Sequence, residues 1–97
     1  MYGIEYTLEA LKDLKSFRKF EQEHVLDQID AQLQHEPNVE THNRKCLRPN
    51  DISDWELRIG KYRVLYDIEE QFKIVAIQAI GFKIGNELYI RGERRKL

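Results

Sequence analysis

Residues 55–68, Trp55-Glu56-Leu57-Arg58-Ile59-Gly60-Lys61-Tyr62-Arg63-Val64-Leu65-Tyr66-Asp67-Ile68, decide how this chain is read. Trp55, Leu57 and Ile59 alternate with Glu56 and Arg58. Tyr62, Val64, Tyr66 and Ile68 alternate with Arg63, Leu65 and Asp67. A period of two predicts a pair of strands, and Gly60-Lys61 predicts a two-residue turn between them. Ile59 then faces Tyr62, and Arg58 faces Arg63. Like charges opposite one another on a sheet are unfavourable. Either each arginine is a solvated surface residue neutralised by Glu56 or Asp67 on its own strand, or the pair belongs to a site for an anion.

Outward from this hairpin, Glu69-Glu70-Gln71 reads as a turn. The mostly apolar run Phe72–Ile80 then reads as a strand central to a sheet. Gly81 ends it. Gly85-Asn86 is a second turn signal, and Glu87–Ile90 reads as a short last strand. Arg91–Leu97 is basic and is expected to be a mobile tail. On the N-terminal side, residues 36–46 are polar, show no period and are expected to be a loop. Thr7 is a suitable N-cap, with Glu9 in the first turn. Leu8, Leu11, Leu14 and Phe17 or Phe20 recur at helical spacing. A second helix from about Phe20 to His35 carries Val25, Leu26, Ile29 and Leu33 on one face and stops before Pro37. Tyr2–Tyr6 alternates weakly as a first strand. The fold expected is α+β, one domain over residues 1–97. An N-terminal strand and a helical hairpin pack on one face of a mainly antiparallel sheet of four or five strands.

Composition narrows the function classes. The chain has 97 residues, of which 41% are hydrophobic and 34% charged, as in one water-soluble domain with a modest core. No apolar run approaches the roughly 18 residues of a membrane span. The N-terminus shows no basic region followed by an apolar stretch, so no secretory signal is expected. The single cysteine, Cys46, fits a reducing, cytoplasmic setting. It is a poor nucleophile candidate, because the nearest histidine, His42, falls in the expected loop. Three scattered histidines, none at ligand spacing, give no reason to expect a metal or other cofactor. The net charge of −1 hides an asymmetry. Residues 1–40 hold four Lys/Arg against nine Asp/Glu, and residues 41–97 hold twelve against eight. A basic half on a near-neutral chain points to a localised anionic partner, with nucleic acid the first candidate.

Alternation sends Trp55, Leu57, Ile59, Tyr62, Val64 and Tyr66 towards the helices. It sends Arg58, Arg63, Glu56, Leu65 and Asp67 to a face expected to be open. Lys83 after Gly81, and Tyr89 after the Gly85-Asn86 turn, are expected along the edge of that same face. Arg58, Arg63, Lys83 and Tyr89 together have the groups that handle an RNA phosphate: guanidinium forks, a compact ammonium and a ring that stacks on an unpaired base.

Four segments resemble the RelE/ParE superfamily of bacterial toxins, over nearly the full chain. "IEYTLEALKDLKSF" resembles that family's first strand and helix, and "RKCLRPND" its Lys-Leu-Arg segment. "WELRIGKYRVLYDI" resembles the central hairpin with its Tyr-Arg-x-x-Tyr pattern at Tyr62, Arg63 and Tyr66. "AIGFKIGNELY" resembles the late strand and turn that end in a tyrosine. The resemblance implies the RelE-like microbial ribonuclease fold. It also implies the toxin of a toxin–antitoxin system: a metal-independent, ribosome-dependent endoribonuclease that cuts mRNA by 2′-hydroxyl attack on the adjacent phosphate and so arrests translation and growth. The implied partners are a cognate antitoxin, the ribosome and mRNA, with higher toxin–antitoxin oligomers on operator DNA a further option and no membrane involved. Carried over by position, Arg63 is the phosphate-binding arginine, Lys83 acts on the leaving group or the transition-state charge, and Tyr89 stacks on or orients substrate. Arg58 holds a basic position on the preceding strand. Glu56 stands where the family has a lysine and is either the general base or a counter-ion for Arg58. Lys45, Arg48, Lys61 and Arg91 are the remaining candidates for RNA contact. The alternatives are a ParE-like inhibitor of DNA gyrase on the same fold and a catalytically inactive relative that only binds its antitoxin.

Overall fold

Gly60 has φ +56°, in the left-handed region open to glycine, and the chain reverses in two residues there. Ile59 pairs with Tyr62 and Arg58 with Arg63, the register that the alternation predicts. In the computed structural model, which describes residues 1–97, the elements in chain order are β1 (Gly3–Tyr6), α1 (Leu8–Lys15), α2 (Lys19–Leu33), β2 (Arg44–Cys46), β3 (Trp55–Ile59), β4 (Tyr62–Glu69), β5 (Ile74–Ile84), β6 (Glu87–Ile90) and β7 (Glu93–Arg95). The sheet runs β2-β3-β4-β5-β6-β7 with antiparallel neighbours. β1 lies parallel to the first part of β5, with Gly3 opposite Ile74 and Tyr6 opposite Ile77. The architecture is the expected α+β one, but with seven strands. The two unforeseen strands are β2 and β7, each three residues long and polar.

Both helices cover one face of the sheet. Thr7 caps α1 by accepting a hydrogen bond from the Ala10 N–H (3.1 Å). The Arg18 N–H at the start of α2 donates to Glu21 (3.1 Å). Val25, Ile29 and Leu33 of α2 are buried, as their spacing predicts. On α1 the buried residues are Ala10, Asp13 and Leu14, whereas Leu8 and Leu11, like Phe20 of α2, are exposed. The stripe expected on α1 is therefore rotated, because the carboxylate of Asp13 turns inward to accept the Ile80 N–H (3.0 Å). Against the helices lie Leu57, Ile59, Tyr62, Val64 and Tyr66 of the hairpin and Val75, Ile77 and Ile80 of β5. Each of these large side chains contributes roughly 1.5–3 kcal/mol by leaving water. Tyr66 is fully buried and donates its hydroxyl to the Pro37 carbonyl (2.8 Å), fastening the chain beyond α2 to the core.

The other face is not open as expected. Leu65, Ala79, Leu88 and Ile90 form a second, smaller cluster there, with Leu47, Ile52 and Leu97 packed against it. Residues from β2 and from β7, the two ends of the sheet order, line a single groove on this face. The sheet is therefore curled, concave away from the helices. Two features bend it. A bulge lies between β4 and β5, where Leu65 pairs with Ala79 but Tyr66 pairs with Ile77, leaving Gln78 extra. At Gly81 a Cβ would stand 2.4 Å from the Tyr89 carbonyl oxygen, so only glycine lets β6 approach so closely. Residues 91–97, expected as a mobile tail, carry a turn and a further strand. Arg91 (φ +53°) and Gly92 (φ +78°) make a tight turn, β7 pairs with β6, and Arg95 is bonded to Asp51 at 2.7 Å.

Candidate functional site

Arg58 and Arg63 face one another across the hairpin with the Glu56 carboxylate shared between them. The Arg63 guanidinium is buried and folds back on its own turn, its Nη1 donating to the carbonyls of Gly60 (2.7 Å) and Tyr62 (2.8 Å). Arg58 is half-exposed and reaches outward. Glu56, itself buried, places Oε1 3.9 Å from the Arg63 Nε and 4.0 Å from the Arg58 Nε. Burial pushes the Arg63 guanidinium below its ordinary value. Glu56 pulls it back up, and Arg58 adds to the lowering. The Arg63 Nε is buried with no hydrogen-bond partner, so one strong donor in this cluster is unused.

This cluster forms one wall of the groove on the concave face, a cleft of about 400 Å³. Lys45 from β2, Arg58 from β3, Lys83 from β5, Arg95 from β7 and Lys96 beyond it contribute five cations, against the buried carboxylate of Glu56. Leu47, Leu88 and Leu97 supply apolar floor. Charges of one sign crowded into a cleft with low-dielectric walls raise the local potential and attract anions. The arrangement is suited to holding a polyanionic strand. It also offers a carboxylate for proton transfer, and cations on both sides of that carboxylate for stabilising charge on phosphorus.

Of the residues expected from sequence, Glu56, Arg58, Lys83 and Lys45 meet in this groove, and Arg63 lies behind Glu56. The others do not join them. Tyr89 pairs with Phe82, not beside Lys83, and stacks on that ring at 6.0 Å on the helix-covered face. The reason is parity. In a two-residue hairpin, partners sum to a constant odd number. Ile84 pairs with Glu87, Lys83 with Leu88, and Tyr89 is left on the opposite face from Lys83. Applying to Gly85-Asn86 the register rule that places Arg58 opposite Arg63 identifies this from sequence. Arg91 also lies on the helix side, its Nε 3.0 Å from the buried Asp13 carboxylate. Burial pushes that carboxyl up, and the Ile80 N–H and Arg91 pull it down. Lys12, Phe17, Ile80, Phe82, Tyr89 and Arg91 line a separate cleft of about 320 Å³ there. Lys61, at the hairpin tip, turns to Glu21 of α2 (3.7 Å) and away from the groove. Arg48 is exposed in the loop between β2 and β3. Arg95 and Lys96, from the segment expected as a mobile tail, complete the groove.

Comparisons with known proteins agree with this architecture. A sequence profile described as "ParE toxin of type II toxin-antitoxin system, parDE" matches residues 4–82. No curated protein sequence matches the chain. Among solved structures, the toxin–antitoxin complex RelBE2 of Mycobacterium tuberculosis contains a chain 26% identical, with a TM-score of 0.73, the match covering 84% of this chain and 98% of that one. A chain of the archaeal RelE–RelB complex of Pyrococcus horikoshii OT3 is 24% identical with a TM-score of 0.68, covering 88% of this chain and 97% of that one, and shares the fold.

Proposed function

This chain belongs to the RelE/ParE superfamily of toxins from type II toxin–antitoxin systems, and on that premise we propose that it is a metal-independent endoribonuclease that cuts mRNA on the ribosome. Its cognate antitoxin holds it inactive. The observation that carries this reading is the groove: five cations and a buried carboxylate on a curled sheet.

The chemistry follows from those groups. The substrate supplies its own nucleophile, the 2′-hydroxyl, and the protein places that oxygen in line with the scissile phosphorus. Glu56 accepts the hydroxyl proton as the bond from oxygen to phosphorus forms. Arg58 and Lys83 stabilise the added negative charge on the phosphoryl oxygens, with arginine offering a fork and lysine a compact charge. Lys83 donates a proton to the departing 5′-oxygen. The products are a 2′,3′-cyclic phosphate and a free 5′-hydroxyl. Arg63, anchored by its own turn, keeps Glu56 and Arg58 in register.

A second reading, poisoning of DNA gyrase, is favoured by two observations. The matching profile describes ParE toxins, and Tyr89 lies on the face away from the basic groove. Expression of the chain with and without its antitoxin, followed by mapping of RNA ends in arrested cells, separates the two. Codon-phased cuts in translated messages, lost in Lys83→Ala, are the expected result. Intact messages together with double-strand DNA breaks overturn the ribonuclease reading in favour of gyrase.

A further inference from the structure

Resting on the reading of the groove as an RNA site, we propose that Arg95 and Lys96 bind successive phosphates of the single-stranded substrate, and that Asp51 is the positioning residue that holds Arg95 in place. β2 and β7 are the outermost members of the sheet order, yet residues of both line the groove. The Asp51–Arg95 contact at 2.7 Å joins the loop after β2 to β7. It links the two edges of the curled sheet. The arginine is its sheltered member, with 29% of its side chain exposed against 79% for the aspartate. An ion pair with so exposed a partner adds ~0–1 kcal/mol to stability, so its consequence is where it holds the guanidinium. Asp51 engages the Nη2 alone, and the fork keeps further N–H donors for a second oxyanion.

Alternation on β7 separates its two arginines. Arg95 pairs with Leu88 and faces the groove. Arg94 pairs with Tyr89 on the opposite face and is bound to Glu87 at 3.8 Å. Beyond β7, Leu97 packs on the cluster of Leu65, Ala79, Leu88 and Ile90. Lys96 is thereby held between two anchored neighbours while remaining exposed at the groove. Arg58 and Arg95 stand four strands apart, up to ~19 Å on a flat sheet at ~4.8 Å per strand. The curl shortens that span, but the five cations of the groove are more than a single phosphate engages. The ligand class is therefore a single-stranded polynucleotide and not a mononucleotide.

The test is fluorescence anisotropy of the full chain with a 5′-labelled oligouridylate over a range of salt concentrations. Each lost phosphate contact lowers the slope of log K against log salt by about 0.7. Arg95→Ala and Lys96→Ala are each expected to weaken binding and lower the slope by that amount, whereas Arg94→Ala leaves the slope unchanged. Asp51→Ala gives the sign that separates positioning from bulk charge. Removing an acid from a basic surface tightens RNA binding if only charge matters, and weakens it severalfold if Asp51 positions Arg95. Thermal midpoints of all four variants report whether each is folded. Wild-type slopes in both Arg95→Ala and Lys96→Ala overturn the inference while leaving the groove reading standing. Tighter binding by Asp51→Ala overturns the positioning role. A wild-type chain that does not bind the oligouridylate overturns the groove reading itself, and the inference with it.

Discussion

The two faces of the sheet are built from the same strands by opposite rules. Towards the helices, Leu57, Val64, Tyr66 and Ile77 are sealed among Val25, Ile29 and Leu33, and the polar atoms admitted there, such as the Tyr66 hydroxyl and the Asp13 carboxylate, are bonded. On the concave face the apolar cluster has four buried members, and charged residues surround it. Side chains alternate with a period of two, so each residue along β3 or β4 belongs wholly to one regime. Stability is concentrated on one side. The other side can then carry crowded cations, and a buried guanidinium with an idle donor, without unfolding the chain.

The comparison is broken most directly by truncating each core. Ile77→Ala is expected to cost about 2–5 kcal/mol in urea unfolding, and Leu88→Ala about 2, the low end of the range for such deletions, because its cluster is small. Equal losses would mean that the faces share the burden of stability. Next in size is Arg63→Ala, expected to cost about 1–3 kcal/mol, because it removes the donor to two carbonyls and one neighbour of buried Glu56. Unchanged stability would place Arg63 among solvated surface arginines instead. A smaller effect is expected at Glu21. The Tyr62 hydroxyl donates to this carboxylate and is the main reason that it titrates below its ordinary value, while burial first and Glu21 second push the Tyr62 hydroxyl up to about 12. A lowered carboxylate contributes stability above its unfolded value and loses it as pH falls through its folded value. The difference between wild type and Glu21→Gln in urea midpoint is therefore expected at neutral pH, shrinking as pH drops below about 4.5. A pH-independent difference would disprove the coupling. The smallest effect on stability is predicted for Arg58→Ala, within about 0.5 kcal/mol of wild type, although it abolishes growth arrest on induction. A toxic Arg58→Ala removes the concave face from the mechanism.

Much of this contrast is legible in the sequence. The Gly60-Lys61 turn fixes the Arg58–Arg63 register by local rules alone. The α2 stripe of Val25, Ile29 and Leu33 follows from helical spacing, and Glu56, Arg58, Lys83 and Lys45, all candidates from the sequence, line one groove. Three things were hidden for physical reasons. β2 and β7 are short polar edge strands, so no hydrophobic period marks them. The curl depends on a bulge at Gln78 and a close approach at Gly81, which are tertiary events. Nothing in the α1 sequence sets Asp13 apart from a solvent-facing acid. Its burial depends on Ile80 and Arg91, which are distant in sequence. The misplacement of Tyr89 is different in kind, since the parity of its hairpin was available all along.

The parallel pairing of β1 with β5 sets the order of events during synthesis. Gly3 meets Ile74, and Tyr6 meets Ile77, across some seventy intervening residues. Closing a loop of that length costs roughly 4 kcal/mol of chain entropy before any contact repays it, and such non-local contacts slow folding. A nascent chain that has not yet exposed β5 has no place for its first strand. β4 likewise lacks its main neighbour. The basic groove, which needs β5, β6 and β7 together, is assembled last. A member of a toxin family therefore lacks its basic groove for nearly the whole of its own synthesis.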